Sequence, residues 1–362
     1  MSNFFNCKYM KNSTIKNLFA GLCFALLAPV SALADVEINE TNFPDENFRN
    51  YLLGQPFGID GVISDNEIEE IDVLDPGDMD ICSLEGIQYF SALRELYCYY
   101  NKLTSLDVSK NTALIALECQ NNMITSLDLS SNTSLTYLYC GNNPLETLNV
   151  TRCTSLANLN CLYAQLSTLD ISSNRALQIL MCQGNRLTSL DLSNYTELTS
   201  LNCSDNRLMT LNLTNCSALS ELNCSNNMLT SLNVSNCVEL SSWYCFRNQM
   251  KGTGMDRFIE TLPYADDSRL YIIHNVDEGN VCTKSQVAAM NRKGWIPCYF
   301  YDMSWEEYEG SDDLDGINDV ETEFGAGVDA NTVAYDINGR RVEGWQNTTG
   351  IYIINGKKVV IK

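Results

Sequence analysis

The sequence predicts an α/β repeat solenoid, in which each turn adds one short strand to a parallel sheet, with a helical cap at the N-terminal end and a small α/β cap at the C-terminal end. Three observations predict it. A 21-residue phrase runs eight times from Leu93 to Met250, the last copy in part, and its third copy, Leu135 to Ser155, reads L-x-x-L-x-C-x-x-N-x-L-x-x-L-x-V-x-x-C-x-x. Apolar residues recur at the same five or six places of every copy. An asparagine recurs at the ninth. A period so short and strict marks units that cannot bury an apolar face alone and must stack.

The chain opens, over 1–34, with the parts of a secretory signal: basic Lys8, Lys11 and Lys16, an apolar run from Leu18 to Val30, and the small-residue site Ala32-Leu33-Ala34. Cleavage is expected before Asp35. Cys23 is not expected to carry lipid, because Leu22 stands where a small residue is needed. No later stretch reaches the roughly 18 apolar residues of a membrane span, so no transmembrane segment is expected in the mature chain. The formal charge is −22. Such a field disfavours nucleic acid and anionic membranes as partners, since phosphate contacts need clustered Lys and Arg.

Residues 35–92 are expected to form a helical cap and a degenerate first repeat. Pro44 and the acids after it open a helix that carries Phe48, Tyr51 and Leu52 at helical spacing and ends near Leu53. Asp60-Gly-Val-Ile-Ser-Asp-Asn-Glu67 has the form of the second half of a calcium-binding loop, but Pro56 and Gly58 stand where the first ligands belong. A hard cation wants about six to eight oxygens, so a metal-free capping turn is the expectation. Ile68 and Ile71 belong to a second short helix, and Ser83 to Leu93 reads as a worn first rung.

In the repeats, 93–250, the first position is Leu93, Leu114, Leu135, Leu156, Leu177, Leu198, Leu219 and Leu240. The fourth position is leucine seven times and then Trp243. At about 1.5–3 kcal/mol for each fully buried side chain, five or six per coil give on the order of ten kcal/mol gross per rung. The fourth and sixth positions alternate with polar or variable ones, which is the period of a half-buried strand. The asparagines Asn101, Asn122, Asn143, Asn185, Asn206, Asn227 and Asn248 can satisfy backbone groups at the turn after the strand, and Ala164 breaks the series, which predicts a looser fourth coil.

This pattern resembles the bacterial leucine-rich repeat family, and the cysteine at the sixth position resembles the internalin J-like subclass with its cysteine ladder. The resemblance covers about 160 residues. It implies a right-handed coil with its parallel sheet on a concave face that binds protein or glycan. It implies no activity.

Sixteen cysteines in an exported chain would ordinarily suggest disulfides. Here Cys98, Cys119, Cys140, Cys161, Cys182, Cys203, Cys224 and Cys245 fall every 21 residues at an inward position. They are expected to be small core residues rather than a metal wire or a disulfide chain. Cys153, Cys216 and Cys237 share the nineteenth position and are expected to fill space at a turn; Cys216 and Cys237, one coil apart, are also candidates to pair.

Function is expected on the outward positions of the sheet, the third and fifth of each repeat, and on the seventh and eighth at its rim. Tyr97, Tyr99, Tyr100, Glu118, Tyr137, Tyr139, Tyr163, Ile179 and Met181 cluster there in the first five coils, and Tyr244 stands in the last. Exposed rigid rings offer contact area at low entropic cost.

The chemistry-bearing residues are sparse. One histidine, His274, lies in the C-terminal cap at the end of Leu270-Tyr-Ile-Ile273, which speaks against Ser-His-Asp, Cys-His and multi-His metal sites. Glu95 and Glu118 on neighbouring strands are the only candidate carboxylate pair for a hydrolase, and two outward acids on so acidic a chain are ordinary. No enzyme, cofactor or metal is expected. Asp107, Asp128, Asn149, Asp170 and Asp191 form an outer column read as a solvated turn face.

Residues 251–308 are expected to form the α/β cap: a helix through Met255, Phe258, Ile259 and Leu262, a strand at 270–273, a helix at 284–293 opened by the Thr283/Gln286 capping box, and a strand at 295–300. Cys282 and Cys298 flank the second helix and either bridge or lie buried. An acidic linker, 309–331, precedes a Lys-rich β-hairpin tail, 332–362, with an Asn-Gly turn in each half. Through Asp336-Ile-Asn-Gly-Arg-Arg-Val342, Gly350-Ile-Tyr-Ile-Ile354 and Lys357-Lys-Val-Val-Ile-Lys362, the tail resembles the C-terminal sorting signal of the type IX secretion system. That resemblance implies export across the outer membrane, removal of the tail and cell-surface anchoring. The chain is therefore expected to be an exported surface protein that binds a protein on a host or neighbouring cell, with a glycan as the alternative ligand.

Overall fold

The computed structural model describes residues 35–301 and 304–311, and strands at 334–335, 341–342, 350–354 and 357–361. The expected signal, 1–34, and most of the linker lie outside the described residues. At the N-terminal end, β1 (Val36–Glu37), α1 (Glu46–Leu53), β2 (Val62–Ile63) and α2 (Asp65–Glu70) build the first cap. The coil follows with β3 (Val73–Leu74), β4 (Glu95–Tyr97), β5 (Ala116–Glu118), β6 (Tyr137–Tyr139), β7 (Asn158–Asn160), β8 (Ile179–Met181), β9 (Ser189–Asp191), β10 (Ser200–Asn202), β11 (Thr210–Asn212), β12 (Glu221–Asn223) and β13 (Ser242–Tyr244). The second cap comprises α3 (Thr253–Thr261), β14 (Ser268–His274), α4 (Lys284–Asn291), β15 (Trp295–Tyr301) and β16 (Ser304–Glu307).

One sheet runs through the molecule in the order β16-β15-β14-β13-β12-β10-β8-β7-β6-β5-β4-β3, parallel throughout except at its β15–β16 edge. The repeat strands pair in strict register, so equivalent positions of successive coils are neighbours: Leu96 beside Leu117, Leu117 beside Leu138. Their middle residues point inward and are buried, as are the sixth-position cysteines from Cys98 to Cys245. The core is continuous from Val36 to Trp295. All fourteen described cysteines are free thiols, including Cys216, Cys237, Cys282 and Cys298.

The asparagine column does what its spacing suggests. The Asn122 Nδ2 donates to the carbonyl of Cys98 in the coil before at 3.0 Å and to Cys119 in its own at 3.1 Å, while Oδ1 accepts from Leu103 N at 3.0 Å. The pattern repeats down to Asn248 and is taken over by Asn280, whose Oδ1 accepts from Met250 N and whose Nδ2 donates to Cys245 O. Asn280 lies outside the 21-residue period, so the sequence did not reveal it. Ala164 can supply neither bond, and Gln165 beside it turns left-handed at φ 62.

The nineteenth position is more than a space filler, and this corrects the sequence reading. It is a second column of donors. Asn132 Nδ2 donates to Val108 O at 3.0 Å, Cys216 Sγ to Leu192 O at 3.1 Å, and the Tyr195 hydroxyl to Ile171 O. Amide, thiol and phenol thus serve one carbonyl of the preceding coil, which is why such different residues are interchangeable here.

The outer column also has structure. Asp107, Asp128, Asp170 and Asp191 each accept from the backbone N–H two residues on, at 2.9 to 3.0 Å, closing an Asx turn. These hydrogen bonds hold the four carboxyls below their ordinary range.

In the first cap, Asp45 Oδ1 accepts from Phe48 N, and its Oδ2 accepts from Cys82 N and Ser83 N, so one carboxylate caps α1 and ties it to the first rung. That rung begins earlier than Ser83, since β3 pairs with β4. The calcium-like loop is used as a capping box: Glu67 Oε2 accepts from Ser64 N at 2.9 Å and from Ser64 Oγ at 2.8 Å. Among the described residues no group of His, Cys, Asp and Glu could hold a metal ion.

At the other end Trp243 replaces the fourth-position leucine because the end of the core must close against the cap: its ring lies 5.7 Å from Trp295 and 5.4 Å from Phe258, centroid to centroid. The cap holds a strand, β16, beyond those the sequence suggested, and its contacts reach Ser311, whose N–H donates to Cys282 O. His274 is buried at the end of β14 against Phe300, as a structural residue. The tail strands form a separate antiparallel sheet, with Ala334–Tyr335 between Arg341–Val342 and Gly350–Ile354, and Lys357–Ile361 paired to the last of these. Among the described residues no helix is long and apolar enough to cross a membrane.

Candidate binding face

Positions three, five, seven and eight of each coil line the outward side of the sheet and its rim. Side by side at about 4.7–4.9 Å, such residues shield one another, so most of the third and fifth positions are half-buried although none belongs to the core. The register sets the neighbours. Glu118 lies between Tyr97 and Tyr139, and Ala116, the smallest side chain of the third-position series, lies between Glu95 and Tyr137. The Tyr97 hydroxyl donates to Glu95 Oε2 at 2.6 Å, and Gln120 Nε2 donates to Glu118 Oε2 at 3.1 Å. Glu95 and Glu118 are therefore diagonal, not opposite, and each already accepts a side-chain hydrogen bond.

The eighth position is left-handed in every coil, at Tyr100, Asn121, Asn142, Tyr163, Gly184, Asp205, Asn226 and Arg247. The turn demands it, because the N–H there must swing to the next coil, as Tyr100 N does to Gln120 O and Tyr163 N to Gln183 O. Asn, Asp and Gly tolerate that conformation best; tyrosine does so at a cost. Yet Tyr100 and Tyr163 are 51% and 55% exposed. Tyr100 meets Tyr99 edge to face at 6.0 Å. The ring of Tyr163 lies over Gly184, where a Cβ would come within 2.1 Å of it, and Tyr99 similarly lies over Gly77. Bare glycines thus set the attitude of two rim rings.

The predicted residues fall into two groups. Tyr97, Glu118, Tyr137 and Tyr139 meet on three adjacent strands, with Tyr99 and Tyr100 at the rim, and Tyr163, Ile179 and Met181 continue onto the next two. Tyr244 is apart from them. It stacks on Tyr271 at 4.5 Å, inside a ring cluster with Phe246 and Trp305 that also takes in His274 and Phe300. Tyr271 and Trp305 extend the face into the cap and were missed in the sequence, although strand-like alternation at Leu270 to Ile273 was the available signal. Burial and the neighbouring Arg247 guanidinium hold His274 below its ordinary pKa.

No protein-family model and no curated protein sequence matches this chain. Solved structures do. The functional domain of InlJ from Listeria monocytogenes, which includes a cysteine ladder, is 26% identical over 69% of this chain and 61% of its own, with a TM-score of 0.52. A leucine-rich repeat protein of Leptospira interrogans is 25% identical over 59% and 55%, with a TM-score of 0.50. An internalin, InlF, from Listeria monocytogenes is 20% identical over 76% and 95%, with a TM-score of 0.52. The chain spans less than two thirds of the first two of these structures. Its fold is that of a leucine-rich repeat solenoid, with internalins, one of them bearing a cysteine ladder, among the structures it resembles.

Proposed function

We propose that this chain is an exported, surface-displayed repeat scaffold that binds a protein on a host or neighbouring cell through the sheet face of its first five coils. The observation that carries the reading is the placement of Tyr100 and Tyr163. Both occupy left-handed positions that Asn, Asp or Gly fill in most other coils, and both leave about half of a large ring in solvent. Stability does not favour either choice, since a non-glycine residue held there costs on the order of 1 kcal/mol or more. A contact surface does favour it. With Tyr97, Tyr99, Tyr137, Tyr139, Ile179 and Met181 these residues make one aromatic and apolar patch around Glu118, and aromatic residues and Met are enriched at interface centres. Export rests on the signal-like 1–34 and surface anchoring on the sorting-like tail.

Affinity capture from cell-surface extracts tests the reading. The full chain should retain a protein that the Tyr97→Ala/Tyr137→Ala/Tyr139→Ala variant, still folded by circular dichroism, retains at least about tenfold less well. Undiminished capture by the variant moves the site elsewhere. Capture that survives protease treatment of the extract overturns a protein ligand.

A further inference from the structure

Beyond the aromatic patch the same side of the sheet changes character. In coils six and seven its residues are small and polar and form the floor of a recess, with Ser200 8% exposed and Asn202, Ser204 and Ser225 4% exposed. Register sets the walls, since Met181 stands beside Asn202 and Tyr244 beside Asn223. The two asparagines are neighbours across β10 and β12. Each is oriented by its own turn. Asn202 Oδ1 accepts from Ser204 N at 3.1 Å and from Ser204 Oγ at 2.8 Å, and Asn223 Oδ1 accepts from Ser225 N at 3.1 Å and from Ser225 Oγ at 2.7 Å. A backbone N–H can only donate, and this fixes which end of each amide is oxygen. Among the described residues the Nδ2 of either asparagine donates to no protein group, and neither nitrogen is sealed from solvent. Two amides thus stand side by side in a recess, their acceptors locked and their donors unused. Two residues before Asn223, on the same side of β12, the exposed Glu221 accepts from Ser200 Oγ through Oε2 at 3.1 Å and leaves Oε1 to solvent.

Resting on the reading of this side of the sheet as protein-binding, we infer that the recess takes the side-chain carboxamide of a glutamine from an uncharged segment of the partner. Its carbonyl oxygen sits between Asn202 and Asn223. Side chains one strand spacing apart, about 4.7–4.9 Å, place an oxygen midway between them within about 3 Å of both nitrogens. Its amide N–H groups turn to Glu221. A carboxamide is neutral and offers an acceptor and donors together, which is what this floor lacks. A carboxylate would accept from both asparagines but meets Glu221 and a formal charge of −22. The Arg247 guanidinium, one coil on, is held by Val276 O and His274 Nδ1. An ammonium would satisfy Glu221 and leave both asparagines with nothing to donate to. Glutamine reaches a recessed floor better than the shorter asparagine does.

The test is an NMR titration of the full chain, isotope-labelled at its asparagines, with a Gly/Ser nonapeptide carrying one central glutamine, against twins carrying glutamate, lysine or methionine there. The side-chain amide signals of Asn202 and Asn223 should move with the glutamine peptide, and its affinity should exceed that of each twin at least about fivefold. Asn202→Asp and Asn223→Asp keep the oxygen that each turn needs and remove the donor, and each should weaken the glutamine peptide about fivefold. Glu221→Gln should narrow the gap between glutamine and glutamate, because it removes the repulsion. Asn233→Asp makes the same exchange on the outer column, where Asn233 Oδ1 accepts from Ser235 N and Ser235 Oγ, and should matter less than about twofold. An equal loss there would show a diffuse charge effect and overturn the site. So would parity of glutamine with glutamate or methionine, or amide signals that do not move. Tighter binding of free N-acetylglucosamine than of the glutamine peptide would make the recess a glycan subsite and overturn the inference as well. If the triple tyrosine variant loses its captured protein while glutamine shows no preference, the protein-binding face stands and the recess alone falls. Should Asn202→Asp fail to fold, the half-buried Asn223→Asp and the peptide series on the native chain decide.

Discussion

The side chain of Asn185 joins two coils: its Nδ2 donates to the carbonyl of Cys161 in the coil before at 2.9 Å, and its Oδ1 accepts from Leu166 N at 2.9 Å. Both backbone groups are buried and have no water to turn to. Asn185→Ala should therefore cost about 2–4 kcal/mol, the desolvation penalty of two stranded groups. Ala164→Asn should have the opposite sign, stabilising by about 1 kcal/mol, because the amide would bond Cys140 O and Leu145 N as its neighbours do. Denaturant unfolding of the two variants checks both signs, and a neutral Asn185→Ala would remove the ladder from the list of stabilising features.

The cysteine ladder should be chemically silent. Burial raises every thiol in it, Cys161 and Cys224 to about 12. Of the described cysteines Cys82 is exposed. In the chain from Asp35 on, a thiol reagent at pH 8 should modify Cys82 at once in the native protein and the ladder only on unfolding, with Cys82→Ser abolishing the fast phase. Cys161→Ser should destabilise more than Cys161→Ala, by about 1 kcal/mol, since it sets a hydroxyl among leucines.

Acid should weaken the fold in two stages. His274 is held below its ordinary value, so the unfolded chain takes up its proton first, and stability falls as pH drops below about 6.5. The carboxyls of Asp107, Asp128, Asp170 and Asp191 are lowered by their turn hydrogen bonds. Their stabilisation is present above about pH 4 and is lost as pH falls through the folded values. Thermal midpoints from pH 8 to 3 should show both steps. Asp128→Asn, which can still accept from Ser130 as Asn149 does from Thr151, should shrink the second, and His274→Gln should remove the first.

Trp243 closes the coil onto the cap. Trp243→Leu restores the repeat residue but leaves a void against Phe258 and Trp295, and should cost about 3 kcal/mol. Trp243→Phe should cost less, because it keeps the ring contacts and removes an indole N–H that is buried with no hydrogen-bond partner. Equal losses would mean that the contacts at 5.4 and 5.7 Å contribute little.

Tyr100→Asn and Tyr163→Asn should separate stability from binding. Each replaces an aromatic residue at a left-handed position by one suited to it, and each should raise the unfolding free energy by about 0.5–1 kcal/mol. Each should also lower capture of the partner. A stabilised variant that binds as before would deprive the rim rings of their assigned role.

Much of this protein is legible in one dimension because a solenoid is nearly one-dimensional: each coil touches only its neighbours, so a strict period in Leu, Cys and Asn already specifies which residues stack. The inward columns, the outward alternation and the Asn101-to-Asn248 ladder follow from that period alone. Where the period fails, contacts between distant residues take over, and there the sequence was silent or misleading. Asn280 completes the ladder from 32 residues beyond Asn248, on a chain excursion with no repeat. Position nineteen looked like filler, since Asn, Cys and Tyr share only a donor, and a donor shows its purpose only when the carbonyl facing it is known. On the candidate face the residue types were visible in the sequence. The tertiary structure decided that Tyr97 and Tyr139 flank Glu118, that Tyr244 belongs instead to a cluster with Tyr271 and Trp305, and that Gln120 carries an unmatched oxygen. Those are facts of register and of the side chains meeting across strands, and a repeat pattern specifies which backbones stack but not how the variable positions between its fixed letters meet.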